Sequence, residues 1–224
     1  MIPWIVIGTT QIPGNGGELK LSQRDKEFSI RLSGRRGELM NSRAHGSEEA
    51  LAELGCSALS SKADAQVLIG GLGMGFTLAA ALRSVPATAV VTVAELVPDV
   101  VDWNRGPLGD CAGHPLTAAR TRVHAGDVAD LLAVSQQYDA ILLDVDNGPE
   151  GLTHNDNNWL YSHDGLDASF TALRKGGVLA VWSAGPDQLF TIRLKKAGFR
   201  VQMRTVRARP GKGSHHTIWL AQKP

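Results

Sequence analysis

VLIGGLGMGFTL, at residues 67–78, is the stretch that decides the fold of this 224-residue chain. Its first residues are apolar and partly β-branched, which is typical of a buried strand. Gly71, Gly73 and Gly75 follow, and a helix-forming run begins at Leu78. A strand, a glycine turn and a helix let the backbone approach a nucleotide, because a Cβ in the turn would block the ligand. A plain tight turn has the same pattern, so the interpretation depends on the residues downstream.

Downstream of this stretch, short apolar runs alternate with helical patterns. We predict strands at residues 67–69, 89–94, 122–124, 140–143 and 178–182, and helices at 77–83, 98–105, 128–134, 165–173 and 186–196. Two last strands, 201–207 and 215–221, are expected to form an antiparallel pair. This alternation predicts an α/β domain over residues 47–224, with a mainly parallel sheet covered on both faces.

The first 46 residues have a different pattern, in which apolar and polar residues alternate. We predict strands at 4–7, 18–22, 27–32 and 37–40, forming a small antiparallel sheet in a segment of residues 1–46. So small a sheet buries little apolar surface alone, so it must pack on the main domain or on another subunit. Next, Ser47-Glu48-Glu49 is expected to cap a helix that carries Leu51, Leu54 and Leu59.

Composition excludes several classes of function. A formal net charge of +1 implies no general attraction to nucleic acid or to a membrane surface. Cys56 and Cys111 form neither a disulfide framework nor a metal-ligand spacing, which fits a reducing cytoplasm. We see no signal peptide and no run long enough for a transmembrane helix, so we expect a cytoplasmic protein without a metal.

Acidic residues follow three of the predicted strands. Glu95 ends the second strand, 24 residues after Gly71, where a carboxylate can accept hydrogen bonds from both ribose hydroxyls. Gly126-Asp127 ends the third strand, and a run from Asp144 to Pro149 ends the fourth. Ligands of parallel α/β sheets bind at the carboxyl ends of the strands. The sequence therefore predicts a ligand site built from these residues and the glycine turn.

Other nucleotide and hydrolase motifs do not fit. The dinucleotide fingerprint needs a glycine where this chain has Phe76, and no Walker loop or Gly-x-Ser-x-Gly elbow is found. His215 and His216 lie in the final apolar run without partner ligands, so we interpret them as core or hairpin residues.

From about Leu19 onward, the chain resembles the spermidine synthase (polyamine aminopropyltransferase) family, within the class I S-adenosylmethionine-dependent methyltransferase fold. The motifs that carry the resemblance are Glu27-Phe28, Glu38-Leu39-Met40, Ala44-His45, residues 67–78, residues 91–96, Gly126-Asp127, residues 138–144 and Gly148-Pro149. The resemblance implies a seven-stranded, mainly parallel Rossmann-like sheet with a C-terminal antiparallel strand. It also implies a homodimer, a small-molecule amine substrate and a nucleoside thioether cofactor. The cofactor-binding residues would be Gly71, Gly73, Met74, Gly75, Glu95, Leu96, Gly126, Asp127 and Asp144.

The chain also departs from the family pattern. Met74 stands where the family has an aspartate that holds the propylamine end of decarboxylated S-adenosylmethionine. Leaving a desolvated ammonium without a partner costs about 2–5 kcal/mol, whereas the carboxylate of intact S-adenosylmethionine is tolerated beside Met74. The family's second catalytic-loop aspartate appears as Asn147, and Asp146 is displaced by one position.

We therefore predict an S-adenosylmethionine-binding transferase that moves a methyl group to a small amine. Asp144 would be the base, with Asp146 and Asn147 orienting the substrate, and Trp159, Tyr161 or Trp182 would line the pocket or belong to the core. The first alternative is aminopropyl transfer from decarboxylated S-adenosylmethionine. The second is a non-catalytic binding or scaffold protein, which would have no need of acids at three strand ends.

Overall fold

The computed structural model describes residues 2–14, 16–34, 37–145, 159–209 and 211–224. Within these residues the strands form two sheets. The small sheet has the order β1-β2-β3-β4, with every pair antiparallel. Its strands are β1 (Ile5–Ile12), β2 (Gly17–Arg24), β3 (Glu27–Leu32) and β4 (Met40–Asn41).

The large sheet has seven described strands in the order β10-β11-β9-β8-β5-β6-β7. β9, β8, β5, β6 and β7 are parallel, and β11 is antiparallel to both of its neighbours. The predicted fold class, a mainly parallel seven-stranded sheet with a C-terminal antiparallel strand, is therefore confirmed. The strands are β5 (Gln66–Gly70), β6 (Val90–Glu95), β7 (Thr121–Ala125), β8 (Tyr138–Leu143), β9 (Leu173–Ser183), β10 (Arg200–Arg209) and β11 (Lys212–Gln222).

Helices cover both faces of the large sheet. One apolar core joins α1 and α2 to the sheet through residues such as Leu51 and Leu78, and the other joins α5 and α6 through Leu166 and Phe190. The described helices are α1 (Gly46–Gly55), α2 (Phe76–Ser84), α3 (Pro98–Arg105), α4 (Gly109–Ala112), α5 (His163–Ala172) and α6 (Gln188–Lys196). Short 3₁₀ turns lie at Ser57–Leu59, Pro115–Thr117 and Val128–Leu132.

The small sheet packs on the glycine turn of the large domain and buries its apolar face there. Leu21 and Ile30 of the small sheet share one apolar cluster with Met74, Phe76 and Leu108. Each Å² of apolar surface removed from water contributes about 25 cal/mol, so this packing stabilises both the small sheet and the glycine turn. The division into segments 1–46 and 47–224 stays a prediction.

Three local predictions were wrong. Ser47 does not cap α1, since the helix begins at Gly46, and Leu59 lies beyond its end in a separate 3₁₀ turn. The helix predicted at 128–134 is only a five-residue 3₁₀ turn, begun by Asp127, whose Oδ1 accepts a hydrogen bond from the Ala129 amide. The strand predicted at 37–40 is reduced to β4, because only its two residues pair with β3.

Candidate active site

A cavity of about 420 Å³ lies between the small sheet and the carboxyl ends of β5, β6 and β8. Ile12, Leu19 and Ile30 line it from the small sheet. All the predicted cofactor-binding residues except Gly75 line it from the large domain, and these are Gly71, Gly73, Met74, Glu95, Leu96, Gly126, Asp127 and Asp144. Gly75 instead precedes α2 with a left-handed backbone.

The glycine turn is shaped by backbone sterics. Gly71 has a φ of +89°, which a residue with a side chain rarely adopts. A Cβ at Gly71 would also collide with the carbonyl oxygen of Asp144. The Asp144 amide in turn donates a 2.8 Å hydrogen bond to the Gly70 carbonyl. Glycine at 71 therefore lets the turn after β5 lie directly against the end of β8, so that cofactor and base positions share one cavity.

Glu95 stabilises the same turn by accepting hydrogen bonds from backbone amides. Its Oε2 accepts a 2.9 Å hydrogen bond from the Leu72 amide, and its Oε1 accepts a 3.0 Å bond from the Val97 amide. The side chain is only 9% exposed, and burial raises its pKa although the backbone amides act in the opposite direction. The amides of Gly73 and Leu96 also act on this carboxylate, so Glu95 is held by backbone groups on both sides of the site.

Asp127 serves as a helix cap and also lines the cavity. Its Oδ1 accepts a 2.9 Å hydrogen bond from the Ala129 amide. The capping role explains its place at the strand end without any ligand, so a contact with adenine stays a prediction.

Asp144 lies just after β8 and is held by α2. Thr77 Oγ1 donates a 2.5 Å hydrogen bond to Asp144 Oδ2. Burial raises the pKa of Asp144 to about 6, against the opposing effect of the Thr77 bond. A carboxyl group with a pKa near neutral pH is suited to general acid–base catalysis.

Sequence reasoning missed Glu48, which lies on α1 and faces the same cavity. Burial, and after it the charge of Asp144, raise the pKa of Glu48 to about 7. Its Oε2 accepts a 2.6 Å hydrogen bond from Ser47 Oγ. We call Glu48 and Asp144 the carboxyl pair; the pKa values of both are raised towards neutral pH. The signal in the sequence was present, but Glu48 was assigned to a helix cap.

Met74 is 3% exposed and belongs to the apolar cluster beneath the small sheet, together with Leu19 and Val97. It also forms part of the cavity wall. The wall at this position is therefore apolar, as the sequence implies.

The aromatic residues divide between cavity and core. Trp182 lines the cavity. Tyr161 is buried against Phe190 and donates a 3.2 Å hydrogen bond to the Val145 carbonyl, whereas Trp159 is 38% exposed. Asp146 and Asn147, predicted to orient the substrate, lie outside the described residues. His216, interpreted from sequence as a core or hairpin residue, also lines the cavity.

No protein-family model matches the chain, and no curated protein sequence matches it. Several solved structures do match the chain. A spermidine synthase in complex with the transition-state analogue AdoDATO is 17% identical, with a TM-score of 0.75 over 98% of this chain and 72% of that one. The spermidine synthase from Thermotoga maritima is 18% identical, with a TM-score of 0.74 over 98% and 73% of the two chains. The chain therefore has the spermidine synthase fold, as its sequence motifs indicated.

In the part of the chain that the structure describes, no helix is long and apolar enough to span a bilayer. The predicted cytoplasmic location and homodimer stay predictions.

Proposed function

We propose that this chain is an aminopropyl transferase, which moves the aminopropyl group of decarboxylated S-adenosylmethionine to a small amine. The observation that carries the proposal is the carboxyl pair, Glu48 and Asp144, beside the glycine turn in one cavity. The sequence alone favoured methyl transfer over aminopropyl transfer, and this proposal reverses that preference.

The preference depends on which residue pairs with the ammonium group at the propylamine end of the cofactor. Methyl transfer was favoured because Met74 leaves the propylamine end of the cofactor without an acid. Glu48 supplies an acid from a different element, α1, which that argument did not weigh. Burial and the charge of Asp144 both disfavour ionisation of Glu48. A bound cation offsets this desolvation and repulsion, so the position favours an ammonium group.

The cofactor fits the described residues. The turn at Gly71 and Gly73 has no side chains that would occupy the ligand's place. Glu95 lines the same cavity and is proposed to accept hydrogen bonds from the ribose hydroxyls. Asp127 lines the same cavity and is proposed to lie near the adenine. Leu96, Gly126 and Met74 would complete the apolar wall.

The bound sulfonium supplies a carbon activated for displacement and a neutral thioether as leaving group. The chain's task is to hold the acceptor amine in line and to remove its proton. Asp144 Oδ1 and Oδ2 are the proposed proton acceptors, with Oδ2 oriented by Thr77. Glu48 is proposed to attract the cationic end of cofactor or acceptor into the cavity. Asp146 and Asn147 stay as proposed orienting residues.

The structural neighbours support this order of the alternatives, since both are spermidine synthases and one carries a transition-state analogue. Methyl transfer from intact S-adenosylmethionine is the second candidate, and the buried, apolar Met74 favours it. A non-catalytic binding protein is the third candidate.

Calorimetric titration of the full chain with both forms of the cofactor tests the proposal. We expect the decarboxylated form to bind at least about tenfold more tightly, and Glu48→Gln to reduce this preference. Glu53→Gln is the matched control, because Glu53 lies on the same helix but is exposed. Mass spectrometry of the chain incubated with small diamines should then detect an aminopropylated product.

Preference for intact S-adenosylmethionine in the unmutated chain would instead establish methyl transfer. If neither form binds, both transferase hypotheses are wrong and the binding or scaffold hypothesis takes their place.

A further inference from the structure

A row of hydrogen bonds connects the carboxyl pair to the protein surface. Ser47 Oγ lies 2.6 Å from Glu48 Oε2, and His216 Nδ1 lies 2.8 Å from Ser47 Oγ. On the other side of the imidazole, His216 Nε2 lies 3.0 Å from Ser214 Oγ. All three distances are those of ordinary hydrogen bonds.

Exposure increases along this row. Ser47 is fully buried, at 0% exposure, His216 is half-buried and Ser214 is exposed. Ser47 and Glu48 belong to α1, whereas His216 and Ser214 belong to β11, so the row exists only because the C-terminal hairpin packs against α1. The Trp182 ring lies edge-on to the His216 ring, with centroids 4.7 Å apart, and restrains its orientation.

We propose that Ser47 and His216 form a proton path between Glu48 and solvent. This inference rests on the proposed function only for its purpose, which is to remove the proton that the acceptor amine loses before attack. The N–H bond of the amine breaks, and the proton passes to the carboxyl pair. Glu48 then donates to Ser47 Oγ, whose own proton passes to His216 Nδ1, and the proton on His216 Nε2 leaves through Ser214 to water.

The row can be polarised in two directions, which is what a proton path requires. When Glu48 is ionised, Ser47 donates to it and accepts from His216 Nδ1–H, so Nε2 is free to accept from Ser214. When Glu48 is protonated, it donates to Ser47, and Ser47 donates to His216 Nδ1. The imidazole then carries its proton on Nε2 and donates to Ser214. One outward passage of a proton therefore leaves His216 with its proton on Nδ1. The ring returns to the Nε2–H tautomer when Glu48 is protonated again, before the next passage.

The surroundings of His216 favour the neutral imidazole, in which one ring nitrogen can accept a hydrogen bond. Burial, and then the neighbouring His215, lower the pKa of His216. Around the ring, α1 presents Ser47 and, behind it, Glu48, and β9 presents the uncharged Trp182. β10 pairs Val206 with His216. Of the described residues, His215 is thus the titratable group whose charge acts on the ring, and Glu48 is joined to the ring through Ser47.

Heteronuclear NMR of the imidazole nitrogens in the ligand-free full chain tests the path without any need for turnover. As the pH falls through about 7, where Glu48 takes up its proton, we expect His216 to change from the Nδ1–H to the Nε2–H tautomer. Ser47→Ala should abolish the change, because it removes the hydroxyl that joins the two groups. A His216 that keeps one tautomer across this range would overturn the proposal.

Turnover provides the second measurement. Ser47→Ala and His216→Ala should each lower kcat about tenfold or more, with KM and cofactor affinity retained, and the double variant should be no slower than either. Added imidazole should restore the kcat of His216→Ala. The control Lys212→Ala, an exposed change on the same strand, should keep wild-type kcat. If the tautomer changes but the wild type transfers no group, the proposed function fails while the proton path stands.

Discussion

Thr77 Oγ1 donates a 2.5 Å hydrogen bond to Asp144 Oδ2, and so joins the first turn of α2 to the end of β8. The same hydroxyl lies 3.4 Å from the carbonyl oxygen of Glu48, at the start of α1. One threonine therefore contacts the Asp144 carboxylate and the backbone of Glu48. Its side chain is 2% exposed, so water cannot replace the bond it makes to Asp144.

Replacing Asp144 by asparagine should remove the base while its size is kept. Turnover is expected to fall by about 10²–10⁴-fold, because an amide cannot take a proton from the acceptor amine. Calorimetry should find the affinity for the neutral thioether product, which lacks the cationic end of the cofactor, little changed. Asp167→Asn, an exposed change on α5, is the control. A variant Asp144→Asn that retains most of its activity would move the role of base to Asp146.

Removing the Thr77 hydroxyl should change the pH dependence of the reaction. Its hydrogen bond lowers the pKa of Asp144, which burial raises to about 6. In Thr77→Val this pKa should rise further, and because the base must be ionised to act, the acid limb of the kcat profile should move to higher pH. Thr77→Ser keeps the hydroxyl and should keep the wild-type limb. The same limb in all three proteins would mean that Asp144 does not govern it.

Glu48 should make the protein less stable as the pH rises. Its pKa is about 7 in the folded chain and near the ordinary 4.5 once unfolded, so between these values the folded state binds more protons. The free energy of unfolding should therefore fall as the pH rises from about 4.5 through about 7, and Asp144 adds a change of the same sign. Because Glu48 is partly exposed, we expect its share to be only about 1–2 kcal/mol.

Urea unfolding at a series of pH values across this range measures that slope. Glu48→Gln should flatten it, whereas Glu53→Gln should have the wild-type slope. Stability that rises with pH in the wild type would contradict the raised pKa of the carboxyl pair.

Much of the fold follows from local sequence patterns. The spacing of the glycines at 71–75 and the alternation of strand and helix patterns are both visible in the sequence. They were enough to predict the parallel sheet and a site at the carboxyl ends of its strands. The same holds for Glu95 and Asp144, because each directly follows an apolar run that forms a strand.

Glu48 and His216 could not be placed in the same way. Glu48 precedes Asp144 by 96 residues and lies on a helix, where an acid near the first turn is also typical of a cap. His216 lies within an apolar strand, and its neighbour across the row is Ser47, 169 residues away. Such pairs depend on how α1 packs against the C-terminal hairpin, which no local pattern encodes.

The last prediction separates the two roles of Glu95. Its carboxylate accepts hydrogen bonds from the Leu72 and Val97 amides, so a variant could weaken ligand binding merely by loosening the glycine turn. Glu95→Ala should weaken binding of the thioether product by about 2–4 kcal/mol, since hydrogen bonds to a charged acceptor contribute about 1.5–3 kcal/mol each and water partly replaces them. Glu95→Gln keeps the shape of the side chain and one acceptor oxygen, and should lie between wild type and alanine.

Comparing the thioether product with an analogue that lacks the ribose hydroxyls isolates the direct contact. In wild type the analogue should bind more weakly, and in Glu95→Ala the two ligands should bind with nearly equal affinity, because the carboxylate that distinguishes them is gone. Loosening of the turn would weaken both ligands alike and leave their difference intact. Equal affinities in the wild type would mean that Glu95 anchors the turn through Leu72 and Val97 and does not contact the ribose.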